Sequence, residues 1–217
     1  MTKLLTLLFL LFTVQMFAQS KENECFTAGF FTGLETQSLG VQSLGKWPDE
    51  PNAWSGSSGL GASVGVFGRK PIGRWLSFQP AISVSYLENQ VVFWPDGPES
   101  YRFVDAELPL HFVASDWRRK ESPLSGCVIF GGRIGWNFAK NESRLLKISQ
   151  ERFGLDLGLG AKIKIKRWRL QPAIIYSHGL NDLHFLGQAK YDEVVGKVLR
   201  DKLSFRIFVW KQKKKCG

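Results

Sequence analysis

Beyond its first twenty residues the chain has no long unbroken apolar run. A bilayer-spanning helix needs about 20 apolar residues in succession, so a helical membrane protein is excluded. Cysteine is scarce, at Cys25, Cys127 and Cys216. The number is odd and the spacing fits neither a metal site nor a disulfide framework, so one disulfide or none is expected. His111 and His184 have no neighbours at ligand spacing, and no metal site is expected. Gly158-Leu-Gly160 is not a phosphate loop, because no helix follows it. Ser177-His178 with Asp182 has the residue types of a hydrolase. Adjacent strand residues point to opposite faces, however, so Ser177 and His178 cannot form the nucleophile–base bond locally. No catalytic residue and no cofactor is expected. Acid is also short: 29 Lys and Arg face 19 Asp and Glu, a net charge of +10.

The N-terminus reads as an export signal over residues 1–19. Lys3 supplies a short cationic region, Leu4 to Val14 an apolar stretch, and Phe17-Ala18-Gln19-Ser20 a small residue for cleavage. Cys25 lies too far on for a lipoprotein. An exported basic chain meets little nucleic acid, so nucleic acid is not an expected partner. Anionic lipid headgroups or a periplasmic or envelope protein fit better.

The rest of the chain alternates. Leu76, Phe78, Pro80, Ile82, Val84 and Tyr86 share one face of a segment whose other face holds Ser77, Gln79, Ala81, Ser83 and Ser85. Gln-Pro-Ala-Ile and a preceding Arg-Trp recur at Trp168 to Tyr176. The same period marks strands over Cys25–Gly33, Gly59–Phe67, Tyr101–Ala114, Gly126–Ala139, Arg152–Lys164 and Lys202–Trp210, which makes eight. Leu34–Ser58, Glu88–Ser100 (with Trp94-Pro-Asp-Gly-Pro98), Lys140–Gln150 and Gly179–Asp201 read as loops, the last with a helical turn near Tyr191 to Leu199.

Two features set the environment. The apolar face is continuous and nearly free of charge, while the other mixes Gly, Ser and Ala with isolated charges. Glycine weakens a strand and packs nothing, but inside a narrow barrel it makes room for long charged side chains. Apolar-out, polar-in segments of about ten residues are the pattern of a transmembrane barrel. The links after strands one, three, five and seven are also long and the others short, as in outer-membrane barrels. The fold expected is all-β: a single eight-stranded antiparallel up-and-down transmembrane barrel of meander topology over residues 20–210, with a basic tail at 211–217. Lipid cannot pair an open sheet edge, so the sheet must close.

An eight-stranded barrel is just wide enough inside for side chains. Asp105, Glu107 and Asp156 are expected to pair there with Arg133, Lys162 and Arg206, because an unpaired buried charge is costly. Trp75, Tyr86, Trp168 and Tyr176 are expected to form an aromatic girdle. The basic turns Gly68-Arg-Lys70 and Trp117-Arg-Arg-Lys120 read as headgroup contacts.

Glu107-Leu-Pro-Leu110, Phe78-Gln-Pro-Ala-Ile82, Phe153-Gly-Leu-Asp-Leu-Gly-Leu-Gly160 and Tyr176-Ser-His-Gly-Leu-Asn181 occur in this order. Over about residues 25–210 the chain resembles the PorT-like outer-membrane β-barrel family. The resemblance implies a signal peptide, an eight-stranded outer-membrane barrel and, through the family's namesake, a link to type IX secretion and gliding. Such chains usually end on an aromatic residue of the last strand, whereas here Trp210 is followed by Lys211 to Gly217. Three functions fit the sequence. One is a non-enzymatic structural or interaction barrel of the cell envelope, secretion-associated if PorT-like. Another is a narrow channel or a binder of a small ligand through Trp47, Trp54 and Trp94. The third is an exported soluble barrel with a lipid ligand.

Overall fold

The computed structural model describes residues 26–44, 51–73, 75–115, 124–139, 144–184 and 189–211. The export signal expected at 1–19, Cys25, Trp47, the basic turn expected at Trp117–Lys120, Cys216 and the tail beyond Lys211 lie outside them. Eight long strands make the wall: β1 (Thr27–Ser43), β3 (Gly59–Pro71), β4 (Leu76–Trp94), β5 (Gly97–Ser115), β6 (Leu124–Asn137), β7 (Glu151–Ile165), β8 (Trp168–Gly179) and β9 (Val195–Lys211). Each pairs antiparallel with its neighbour, and β1 pairs with β9 to close the ring. A ninth strand, β2 (Asn52–Ser55), pairs with the far end of β4.

Three expected loops contain strand. Leu34–Ser58 contains the second half of β1 and the whole of β2, and Gly179–Asp201 holds the start of β9. Residues 190–194 form turns and residues 195–199 are strand, so the expected helical turn is absent. Glu88–Ser100 is a hairpin tip: Trp94-Pro95-Asp96-Gly97 is a tight turn, with Gly97 at a φ of 100° that only glycine adopts readily. The wall therefore gains its length at this end from the strands themselves, with β4 and β5 each running 19 residues. About 9–11 tilted residues cross a bilayer, so these strands continue well beyond it.

The two faces of the strands exchange character along their length. On β4, Phe78, Ile82, Val84 and Tyr86 point outward while Ser77, Gln79, Ser83 and Ser85 point in and are buried or nearly so. From Leu87 onward the order inverts. Leu87, Val91 and Phe93 are buried inside, and Glu88 and Gln90 face out. β5 inverts between Asp105 and Phe103, and β9 between Arg200 and Val198. Below this level the barrel faces lipid; above it, the barrel faces water and has an ordinary apolar core.

That core forms a dome. Leu39, Leu87, Phe93, Phe103, Leu183 and Tyr191 belong to one buried cluster, completed by residues of β2 and of the 144–150 and 183–195 segments. β2 fills the gap above β3, where Ser55 Oγ donates to Leu39 O and Ser43 Oγ accepts from Ala53 N. On the opposite side Tyr191 N donates to Leu145 O, Ser149 N to Leu183 O, and Tyr101 Oη to Leu146 O at 3.5 Å. The dome is latched to the β4–β5 tip. The single hydrogen of Tyr191 Oη is shared between Trp94 O (2.7 Å) and Asp96 Oδ2 (2.9 Å), and Lys190 Nζ pairs with Asp96 at 2.6 Å.

Candidate functional site

The middle of the lumen holds the greatest concentration of charge. The alternation that turns apolar side chains to lipid sends every second residue inward, and these strands place ionisable groups there. Glu107 of β5 is the hub. Its Oε2 accepts from Arg133 Nη1 (2.7 Å), and Arg206 Nη2 lies 3.5 Å from it. Its Oε1 accepts from Lys202 Nζ (2.6 Å) and faces Arg152 Nη1 (3.4 Å). Lys202 and Arg206 also pair with Glu35 at 2.9 and 2.6 Å. Asp105 is held by Arg152 at 2.7 Å and by Arg200 at 2.6 Å. Arg200 Nε donates to Gln37 Oε1, and Gln37 Nε2 to Asn89 Oδ1 at 2.8 Å. Asp156 Oδ2 accepts from Arg133 Nη2 (2.9 Å) and meets His111 Nε2 at 2.6 Å.

Glycines make these long reaches fit. Gly131 of β6 stands between His111 and Asp156 in the register, and a Cβ there would come within 2.1 Å of Leu110 O. Gly135 likewise stands between Glu107 and Arg152, which interact across it. A Cβ at Gly33 would meet Arg206 Cγ at 2.8 Å.

Of the six charges expected in the lumen, Asp105, Glu107, Arg133, Asp156 and Arg206 share this belt. Lys162 does not pair with the acids. It sits three inward positions closer to the short-turn end than Asp156 and donates to Ser115 Oγ at 2.8 Å. Glu35, Arg152, Arg200, Lys202 and His111 were not among the six. In the sequence Arg152 and Lys202 stand at strand starts, Glu35 and Arg200 in segments that read as loops, and His111 on the face of its strand that carries Asp105 and Glu107. The signal that marks all five is their phase in the inward alternation. Four carboxylates thus meet five cations, leaving one positive charge in excess when His111 is neutral.

Trp75, Tyr86, Trp168 and Tyr176 all project outward with about half their surface exposed. The two tryptophans stand at the strand starts beside the short turns. Tyr86 and Tyr176 stand near the level where the faces invert. Ser177 points inward and is buried, while His178 points outward to Asp201 (2.8 Å). Asp182 accepts from the backbone of His184 and Val198. The three do not form a catalytic arrangement. On the lipid side, Trp75, Ala114, Val128 and Leu159 line a shallow apolar groove of about 570 Å³.

Comparison with known proteins places this closed ring. The family model described as "Outer membrane protein beta-barrel domain" matches residues 17–184. The chain belongs to that family. It is an outer-membrane β-barrel protein. Among solved structures it is similar to the outer membrane protein OprG from Pseudomonas aeruginosa, at 13% identity and a TM-score of 0.55, covering 88% of this chain and 98% of that one. It also matches the outer membrane protein AlkL (11% identity, TM-score 0.47, 92% and 96% covered) and Neisserial surface protein A (16%, 0.41, 84% and 97%). No curated protein matches the chain by sequence.

Proposed function

We propose that this barrel is a closed, non-conducting and non-enzymatic scaffold of the outer membrane that acts through its surfaces. The filling of the lumen carries this reading. Three layers of side chains occupy it in succession. Nearest the short turns, a largely aromatic layer includes Phe31, Phe67, Phe208 and Trp210, with the Phe31 and Phe208 rings 5.0 Å apart and tilted by 39°, Phe67 edge-on to both Phe208 and Trp210, and Arg69 packed against Phe67 and Trp210. Next comes the ion-pair belt, then the dome core. A solute path would have to break the belt, where removal of one partner from a buried pair costs about 3–5 kcal/mol.

The dome stands clear of the bilayer and is the surface offered to an envelope partner. Because the chain resembles the PorT-like family, a secretion apparatus is the first place to seek that partner. Planar-bilayer recording of the refolded protein tests the closed lumen: a flat baseline is expected, and steady unitary conductance refutes it. Cross-linking from dome lysines in native membranes, followed by identification of the captured protein, tests the interaction role. Recovery of secretion components supports the PorT-like reading, and absence of any specific product refutes the interaction role.

A further inference from the structure

The belt is almost balanced in charge, but the short-turn end of the lumen is not. Arg69 of β3 points inward there and is 6% exposed. Its guanidinium lies over the Trp210 ring, 4.3 Å from the centroid. Nε donates to Gln79 Oε1 at 3.0 Å, and Nη2 donates to Gln79 Oε1 and to Gln171 Oε1, the latter at 2.5 Å. These acceptors are neutral. Among the described residues no carboxylate pairs with Arg69 or with Lys162; the other ionisable groups near the two are Arg169 and the buried Cys127 thiol. A buried cation without a counter-charge is among the costliest groups a protein can hold.

The two glutamines sharpen this imbalance. An Arg offers only donors, so Arg69 must face both Oε1 atoms, and this fixes the orientation of both amides. Gln79 Nε2 and Gln171 Nε2 are then turned away, fully buried and without an acceptor. Four strands therefore bring donors and positive charge to one place: Arg69 from β3, Gln79 from β4, Lys162 from β7 and Gln171 from β8. Ordered water could satisfy the amides but supplies no charge. A group with several anionic oxygens supplies both charge and acceptors.

We propose that the short-turn end of the lumen is an oxyanion-binding site built by Arg69, Gln79, Gln171 and Lys162, taking a phosphate group. Short turns of outer-membrane barrels lie on the periplasmic side, so the ligand enters from the periplasm. Lys162 and Arg169 are half-buried and stand toward that mouth. The site does not depend on whether the belt above it conducts.

The test uses the full chain refolded in a non-ionic, phosphate-free detergent. Sodium phosphate is titrated at fixed ionic strength by calorimetry, with sodium chloride as control. A second arm uses dihexanoyl phosphatidic acid. Saturable phosphate binding that weakens at least tenfold in Arg69→Gln supports a free oxyanion. Binding of the phosphatidic acid alone, with the same dependence on Arg69, supports a lipid headgroup. Lys162→Gln provides a second variant should Arg69→Gln fail to refold, and the same weakening is expected. Without ligand, Arg69→Gln melts no lower than the parent, because it removes an uncompensated charge. Absence of binding by both probes, or unchanged affinity in the variant that folds, overturns the proposal.

Discussion

The belt and the dome close the same tube in opposite ways. Inside the membrane segment the wall turns its apolar side to lipid, and the lumen receives Glu107, Arg133, Asp156 and their partners. A few residues further along the same strands, the wall meets water and the lumen receives Leu87, Val91 and Phe93. The solvent outside decides which residues go inside. Lipid accepts Leu, Ile and Phe without cost, so the interior can be polar only if its groups satisfy one another. Water gives no such freedom, and burial of apolar area again drives packing. One continuous strand carries both solutions by shifting its apolar phase by one residue at Tyr86–Leu87.

Substitutions can separate the two solutions. The largest loss is expected from Glu107→Ala, which strips the hub from Arg133, Lys202, Arg152 and Arg206. Urea unfolding in vesicles should show about 3–5 kcal/mol less stability. Leu87→Ala in the dome should cost about 2–5 kcal/mol through a cavity, to a similar extent in micelles and in vesicles. Equal behaviour of a conservative Glu107→Gln and the parent would break the distinction, since it would show that charge does not hold the belt. Tyr191→Phe should cost about 0.5–1.5 kcal/mol, read from the same unfolding curves, because it removes the bonds to Trp94 O and Asp96.

The smallest effect is expected from acid. The bond from Lys190, and then that from the Tyr191 hydroxyl, holds the Asp96 carboxyl below its ordinary value of 3.8. A group lowered in this way stabilises the fold above its unfolded value and loses that contribution as pH falls through the lowered one. Amide-exchange protection over residues 189–195 should fall below about pH 4 and lose that dependence in Asp96→Asn. Burial and the bond to Asp96 raise Tyr191 to about 12, so it remains neutral throughout this range.

The sequence showed the period, the lipid-facing side and the closed antiparallel ring because one environment holds from Leu76 to Tyr86. It hid the outer half of the strands for a physical reason. When the apolar phase slips by one residue, a reading tied to one face sees the alternation fail and places a loop. Glu88–Ser100 reads as a loop for this reason, and Pro95 and Gly97 strengthen the loop signal although they form only the tip. Glu35 and Arg200 stay hidden with it, because they lie in segments that read as loops. Lys162 shares a face with Asp156, so the alternation alone puts it in the belt. Face alone does not give depth, and its level toward the short turns follows from the register.

Arginine scanning along the outward side of β4 tests the inversion most directly. Phe78, Ile82, Val84, Gln90 and Val92 are each replaced by Arg, and unfolding free energy is measured in vesicles. A loss of about 2–4 kcal/mol is expected at Ile82 and Val84, near the bilayer midplane, falling to about zero at Gln90 and Val92. An equal loss at Val84 and Val92 would contradict a membrane boundary at Tyr86–Leu87.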